Sequence, residues 1–439
     1  MLFRSQARRE KRAVSIAGAR HAMGGQQFGA DALLVDMTGM PRVLAFDRER
    51  GEVEVEAGIE WPDLIDHLIR TQEGQARQWS IVQKQTGADR FTIGGTLSAN
   101  AHGRGLRYRP VIQDVASFSL LDAAGRLVTC DRHENAELFR LAIGGYGLLG
   151  VIVSVRLRLA PRRKLRRVVE LREVGTIAEA FDRRIAEGYE FGDFQFSTDP
   201  SSSRFMRFGV FSCYRPVADD TPIPDEQREL RVDDWRELFY LSHADKRRAF
   251  DLYARHYVAT DGQVYWSDIL QESTYIEDYH REVDRRLGAP VPATEMITEI
   301  YVPRRRLVDF LAEARGDFLD NGVDLIYGTV RLIERDDESV LAWARQPWAC
   351  TIFNLHVVHT PGAVERAAAA FRRLIDMAIR RGGSYYLTYH RWATRAQVEA
   401  CHPRLAEFLR LKRAYDPEER FQSDWYRHYR AMFADVLGA

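Results

Sequence analysis

The chain has only four cysteines in 439 residues (Cys130, Cys213, Cys350 and Cys401), widely scattered and never paired as CxxC. That spacing argues against a disulfide framework and against a zinc–thiolate site, and it fits buried thiols in a reducing compartment, so no metal site is expected. Net charge is missing as well: 63 Lys plus Arg balance 63 Asp plus Glu. No global field therefore draws the chain to nucleic acid or to an anionic membrane. No apolar run approaches the ~20 residues that cross a bilayer, and no signal-peptide core is present, which makes the cytoplasm the default location. Internal repeats and low-complexity segments are absent too. A chain this long exceeds one ordinary core, so the expectation is a compact multidomain protein whose partner is a small molecule.

Short strands alternate with glycine turns from residue 13 to about 160: "AVSIAG", "ALLVDM", "RVLAFD", "EVEVEAG", the helix-like "EWPDLIDHLIRTQ", the hairpin "SFSLLDAAGRLVTC", the helix "ENAELFRLAIGG" and the strand "LLGVIVSVRLRLAP". The arginine-rich opening "MLFRSQARREKRAV" reads as the tail of a basic surface helix. The charged run "PRRKLRRVVELRE" marks a change of region. Residues 173 to 290 are the least legible, with helices suggested at 227 to 259 and a polar loop at "DGQVYWSDILQ". From 294 a strand, a helix, two strands, a helix and the strand "SYYLTYH" follow, which predicts an antiparallel, ferredoxin-like sheet backed by two helices. The class is α+β.

Three small-residue clusters occupy the first third: "AGARHAMGG", "TGADRFTIGGTLSANAHGRG" and "GGYGLLGV". Glycines there permit positive φ and close approach of backbone N–H groups to a phosphate or a planar ring. No GxGxxG follows a strand with an acidic residue about 20 positions on, so a Rossmann site is disfavoured. In order and spacing the three clusters resemble the FAD-binding domain of the vanillyl-alcohol oxidase/PCMH-type flavoprotein family. The carboxy-terminal frame "GGSYYLTYHRWAT…HPRLAEFLRLKRAYDP…FQSD" is similar to decaprenylphosphoryl-ribose oxidase, and alditol and aldonolactone oxidases look alike as well.

The resemblance implies an FAD-binding domain over residues 1–165, a substrate or cap domain over 166–390, and a segment 391–439 that returns to the FAD domain. Members usually carry a further strand and helix before "RREKRAVSIAG"; their apparent lack implies either an upstream start or looser FAD binding. The implied FAD contacts are Ala17, Gly18, Ala19, Arg20, His21 and Ala22 in the pyrophosphate loop, Gly87, Thr92, Gly94, Gly95, Ala99 and His102 beside the ring, and Ile152 and Tyr386. A histidine at the place of His21 carries the flavin covalently in some relatives, and serine there binds it without a bond. A second attachment is excluded because the second cluster has no cysteine.

The implied catalytic set is His102, Glu299, Arg331 and Tyr389. Alternation puts Glu295, Ile297, Glu299 and Tyr301 on one strand face and Tyr327, Thr329 and Arg331 on one face of another. Glu299 would orient or deprotonate a hydroxyl, or be a solvated edge carboxylate. Arg331 replaces a family lysine and would stabilise an anionic ring near its N1–C2=O edge, or pair with the acidic "ERDDE" that follows. Tyr389 stands where relatives keep a catalytic lysine, which sets this chain apart, and His390 falls on the opposite strand face. The implied activity is hydride transfer from a CH–OH group of a polyol, sugar or lactone to flavin N5, with O2 or another acceptor reoxidising the flavin. The alternatives are a flavin-dependent C=C reductase of the sterol side-chain type and a decayed, flavin-free binding protein.

Overall fold

The computed structural model describes residues 9, 10 and 12–438; the basic helix expected at the amino terminus lies almost wholly outside them. Strands β1 (Val14–Ala17) and β2 (Leu33–Asp36) pair in parallel, with Val14 opposite Leu33. Next come β3 (Val43–Asp47), β4 (Glu52–Glu56), β5 (Trp79–Ile81), β6 (Val115–Leu121), β7 (Leu127–Cys130) and β8 (Val151–Pro161). They form an antiparallel sheet in the order β3-β4-β8-β6-β7, with β5 also on β8. The "DAAG" turn closes the β6–β7 hairpin, Leu121 opposite Leu127. Helix Trp61–Thr71 begins with a proline in its first turn and buries Trp61, Leu64, Ile65 and Leu68, the spacing of a single apolar stripe.

The second sheet holds β9 (Lys164–Glu173), β10 (Phe191–Phe196), β11 (Phe208–Pro216), β12 (Val264–Trp266), β13 (Ala293–Pro303), β14 (Leu325–Ile333), β15 (Trp348–Val358) and β16 (Ser384–Tyr385). All pairs are antiparallel, in the order β12-β9-β11-β10-β14-β15-β13-β16. The expected helix-backed sheet is present, and it grows to eight strands because the charged run read as a boundary is mostly β9. The polar loop at 261–271 contributes the edge strand β12. Helices Val232–Ala244 and Lys246–Ala259 fill the region suggested at 227 to 259.

Register decides what each face of this sheet does. Phe194, Val330, Phe353 and Ile300 point to the side of helices Leu307–Asp320 and Pro361–Ile379, where the Phe318 and Phe353 rings lie 5.3 Å apart. Cross-strand partners then put Arg167, Tyr214, Asp193, Gln195, Thr329, Arg331, Cys350, Ile352, Glu299 and Tyr301 together on the other face. The two strand-borne catalytic candidates, Glu299 and Arg331, thus share one surface.

One element departs from expectation. "SYYLTYH" is a strand only at Ser384 and Tyr385. Thr388 is pulled out of the sheet because its carbonyl accepts from the Gly24 amide (3.1 Å) and the Gln26 side chain (2.9 Å). Strand alternation would separate Tyr386 from Tyr389; the turn instead brings both rings to the same side, 5.7 Å apart. His390 goes to the core, stacked on Phe371 at 4.7 Å.

The carboxy-terminal segment is tied down by a fully buried ion pair, Lys412 with Asp416, whose carboxylate also accepts from the Arg420 and Phe421 amides. Asp416→Ala strands an ammonium with no exposed surface, and should lower unfolding free energy by about 3 to 5 kcal/mol. Urea unfolding of the two proteins checks the shift.

Candidate functional site

Between the two sheets lies a cavity of about 1080 Å³, at the upper end of ordinary ligand sites. Gly18, Ala19, Arg20, His21, Ala22, Gly87, Thr92, Gly94, Gly95, Ala99, His102, Ile152 and Tyr386 all line it, as do Glu299, Arg331 and Tyr389. Of the expected contacts only Ala17 stays outside the lining; it sits in β1, 1% exposed. The three glycine clusters, far apart in sequence, therefore meet at one space.

The first loop is built to hold an anion. After β1 the amides of Ala19 through Met23 find no acceptor among the described residues, and Arg20 takes the left-handed conformation at φ 62°. Successive free N–H groups around a left-handed residue make a concave anion site. A side chain at Gly18 would overlap the Thr92 hydroxyl, and one at Gly94 would press on Ala57. That hydroxyl is already committed to capping helix Ile93–Ala99 through the Gly95 amide. The loop thus approaches the helix start without intervening side chains, a cradle suited to a pyrophosphate.

His21 lies on the cavity wall with its ring 4.4 Å from Phe91 and 5.2 Å from Tyr275. Its Nε2 is 2.7 Å from the Arg90 carbonyl. A carbonyl only accepts, so Nε2 carries the hydrogen and Nδ1 keeps its lone pair. Burial lowers the imidazole pKa, against the upward pull of that carbonyl and of Glu60, and so favours the neutral ring.

Glu299, 3% exposed, is no edge carboxylate. Its Oε2 accepts from His102 Nε2 (2.9 Å) and the Tyr301 hydroxyl (2.8 Å), with the Cys350 thiol at 3.7 Å, and its Oε1 accepts from the Tyr389 hydroxyl (2.8 Å). His102 Nδ1 faces the Gly103 carbonyl at 2.9 Å. Both ring nitrogens thus meet oxygen atoms that accept. Burial alone would raise Glu299; the charge and hydrogen bond of His102, then the Tyr389 and Tyr301 hydroxyls, outweigh it and hold the carboxyl at about 2. Burial and the Glu299 charge push Tyr389 and Tyr301 well above the usual phenol range, so both stay protonated.

Arg331 is 5% exposed, and among the described residues its guanidinium has no ion pair or hydrogen bond; its Nε is buried without an acceptor. The pairing with "ERDDE" does not occur. Glu334, Asp337 and Glu338 pair with Arg304, Arg109 and Arg132, while Asp336 accepts from Asn100 at 2.9 Å. Three of that run's four acids instead tie the strand end to residues 100, 109 and 132. A dry, unpaired cation at the cavity suits a ligand that carries or develops negative charge.

Sequence reasoning missed Cys350, opposite both Arg331 and Tyr301, and Asn354, four residues further on the same face. Alternation along "ACTIFNLHVVH" would have found them. It also missed Tyr146, whose hydroxyl lies 3.2 Å from that of Thr388.

Residues 5–131 match the model of an FAD-binding domain. Mouse L-gulonolactone oxidase is 29% identical over 177 residues, 40% of this chain and 38% of that protein. Rice cytokinin dehydrogenase 3 is 34% identical over 159 residues, 34% of this chain and 28% of that one. Mitochondrial L-galactono-1,4-lactone dehydrogenase of Arabidopsis thaliana is 33% identical over 132 residues, 30% and 20% of the two chains. The matched segment thus spans between 20 and 38% of these relatives. A solvent-stable cholesterol oxidase superposes with a TM-score of 0.72 over 99% of this chain and 91% of that one at 15% identity, a likeness of fold. Residues 5–131 thus carry an FAD-binding domain, and the chain as a whole shares the fold of that oxidase.

Proposed function

We propose that the chain is an FAD-dependent oxidoreductase that takes a hydride from a CH–OH carbon of a polyol, sugar or lactone. The observation that carries this reading is the buried Tyr389–Glu299–His102 network opposite the unpaired Arg331, both on the wall of the FAD-sized cavity. FAD would lie against the pyrophosphate loop and the second cluster and supply the hydride acceptor. The remaining lone pair of Glu299 Oε1 and the oxygen of Tyr389 are the acceptors offered to a substrate hydroxyl. As the carbon loses hydride, that hydroxyl acquires the acidity of a protonated carbonyl, and even a weakly basic carboxylate then takes its proton. Arg331 supplies fixed positive charge where electron density arrives. The relatives include a lactone oxidase and a lactone dehydrogenase, which supports the donor class. O2 and other acceptors are both compatible with this arrangement. No helix among the described residues is long and apolar enough to cross a membrane, and we keep the cytoplasm as the proposed location. We also keep the three segments 1–165, 166–390 and 391–439 as the proposed domains.

Anaerobic mixing with a panel of polyols and aldonolactones, followed by flavin absorbance, tests the reading. Bleaching by such donors is expected. Bleaching only by NADH or NADPH would point to a C=C reductase, and colourless protein that takes up no FAD would sink the assignment.

His21 is the proposed attachment point, through Nδ1, the nitrogen left with a lone pair. Acid precipitation of the parent should leave the yellow chromophore in the pellet, and a peptide spanning residues 17–34 should carry it. His21→Ala should fold and bind FAD but release it into the acid supernatant. Full release from the parent would reduce His21 to a wall contact.

A further inference from the structure

A second group of side chains lies on the same sheet face as Glu299 but belongs to none of the chemistry above. Glu295 is four residues before Glu299 on β13, and His356 is its cross-strand partner on β15. His243 reaches them from helix Val232–Ala244, and Tyr279 from helix Tyr279–Leu287. His243 Nε2 is 2.7 Å and His356 Nδ1 is 3.4 Å from the same oxygen, Glu295 Oε1, while the Tyr279 hydroxyl donates to Oε2 at 2.7 Å. The exposures of the three side chains are 3, 6 and 17% for His243, Glu295 and His356.

We propose that His243, Glu295 and His356 form a binding site for one divalent first-row transition cation, zinc being the reference ion, at the far wall of the cavity. The ligand atoms lie within 4.8 Å of one another, and bonds of 2.0 to 2.2 Å to one tetrahedral ion would place them roughly 3 to 3.5 Å apart, a small adjustment. Two imidazoles and one carboxylate from three separate elements are a recurrent donor set for such ions. The outer contacts fit as well. His243 Nδ1 lies 2.7 Å from the Phe239 carbonyl, which keeps a hydrogen on that nitrogen and aims the Nε2 lone pair at the site. Tyr279 holds the second carboxylate oxygen in the same way.

Convergence of two imidazole nitrogens on one oxygen separates this group from the only comparable one among the described residues, His102, Glu299 and Cys350. There a single imidazole and two phenols satisfy the carboxylate. At Glu295 an ion-free arrangement asks one oxygen to accept from two rings, whereas one cation bonds all three donors. Lys246, whose charge Glu295 also feels, is already engaged by Asp324 at 2.9 Å and by the carbonyls of Ser242 and Leu325. His243 and Tyr279 line the cavity, so the open side of the ion faces it. Cysteine spacing, which predicts no metal site, carries no information about these two histidines, 113 positions apart in the chain.

The test uses the tag-free full chain, stripped with a chelator, dialysed and titrated calorimetrically with zinc. One equivalent should bind with micromolar or tighter affinity and raise Tm. Cobalt should give the visible absorption of four- or five-coordinate Co(II). His356→Ala and Glu295→Gln should each weaken zinc binding by roughly a hundredfold or more, with FAD absorbance unchanged, which separates failure here from failure of the flavin reading. Parent protein that binds zinc no better than millimolar, or variants that bind it as the parent does, would overturn the site in favour of a hydrogen-bonded histidine–carboxylate cluster. Should a variant fail to fold, the parent's zinc stoichiometry and cobalt spectrum decide.

Discussion

Arg331→Ala is expected to weaken sulfite binding to the FAD-loaded protein by roughly two to three orders of magnitude and to slow anaerobic flavin reduction comparably, about 3 to 4 kcal/mol in each case. The guanidinium is nearly dry, lacks an acceptor at Nε, and has no carboxylate within ion-pair distance among the described residues. Its charge is therefore available to whatever occupies the cavity. Sulfite binding places negative charge on the ring, so it reads that cation without requiring the natural substrate. Arg331→Lys retains the charge but not the planar fork, and should recover part of the loss. The sign for stability runs the other way: removing an unpaired buried cation should leave the apo-protein as stable as the parent or more so. Sulfite affinity and reduction rate unchanged in the alanine variant would remove Arg331 from the site.

Where a requirement is local, the sequence carried it. The clustered glycines and alanines around Arg20 leave amides exposed whatever surrounds them, and the alternation in "EMITEIYVP" puts Glu295 and Glu299 on one face in any sheet. Where the requirement comes from a distant partner, it was illegible. Tyr389 reaches Glu299 only because Gly24 and Gln26 draw Thr388 out of the sheet, more than 360 positions from their own place in the chain. Strand alternation could not contain that event. The "ERDDE" run was the obvious partner for Arg331 by proximity, yet its acids are taken by arginines at 109, 132 and 304. β9, β10 and β11 were obscured because β9 is crowded with arginines. Arg167 among them is half-buried, its guanidinium bonded to the hydroxyls of Tyr214 and Thr260, and only looks like a surface residue. His243 lies in this same region, which is why its meeting with Glu295 and His356 left no readable trace.

Glu299→Gln should reduce the rate of flavin bleaching by alcohol donors by about 10²- to 10⁴-fold while sparing sulfite affinity relative to Arg331→Ala. The carboxylate now accepts from His102, Tyr301 and Tyr389, all donors. A glutamine offers them one oxygen and turns an NH2 toward at least one, so the network must break or rotate. His102 then loses the carboxylate it faces. The pH behaviour follows from the direction of the shift. Glu299 is held at about 2 against roughly 4.3 in an unfolded chain, so its charge stabilises the fold above about pH 4.3. That contribution is lost as pH falls toward 2. The stability difference between parent and Glu299→Gln should accordingly be full at neutral pH and shrink through that acid window, as thermal unfolding at a series of pH values would read. For the same reason Glu299 should impose no acid limb on the donor kcat/KM at any pH where the protein stays folded. An acid limb near neutrality in the parent that disappears in Glu299→Gln would show a carboxyl titrating far above its expected range, and would replace the fixed, ionised acceptor described here with a conventional high-pKa base.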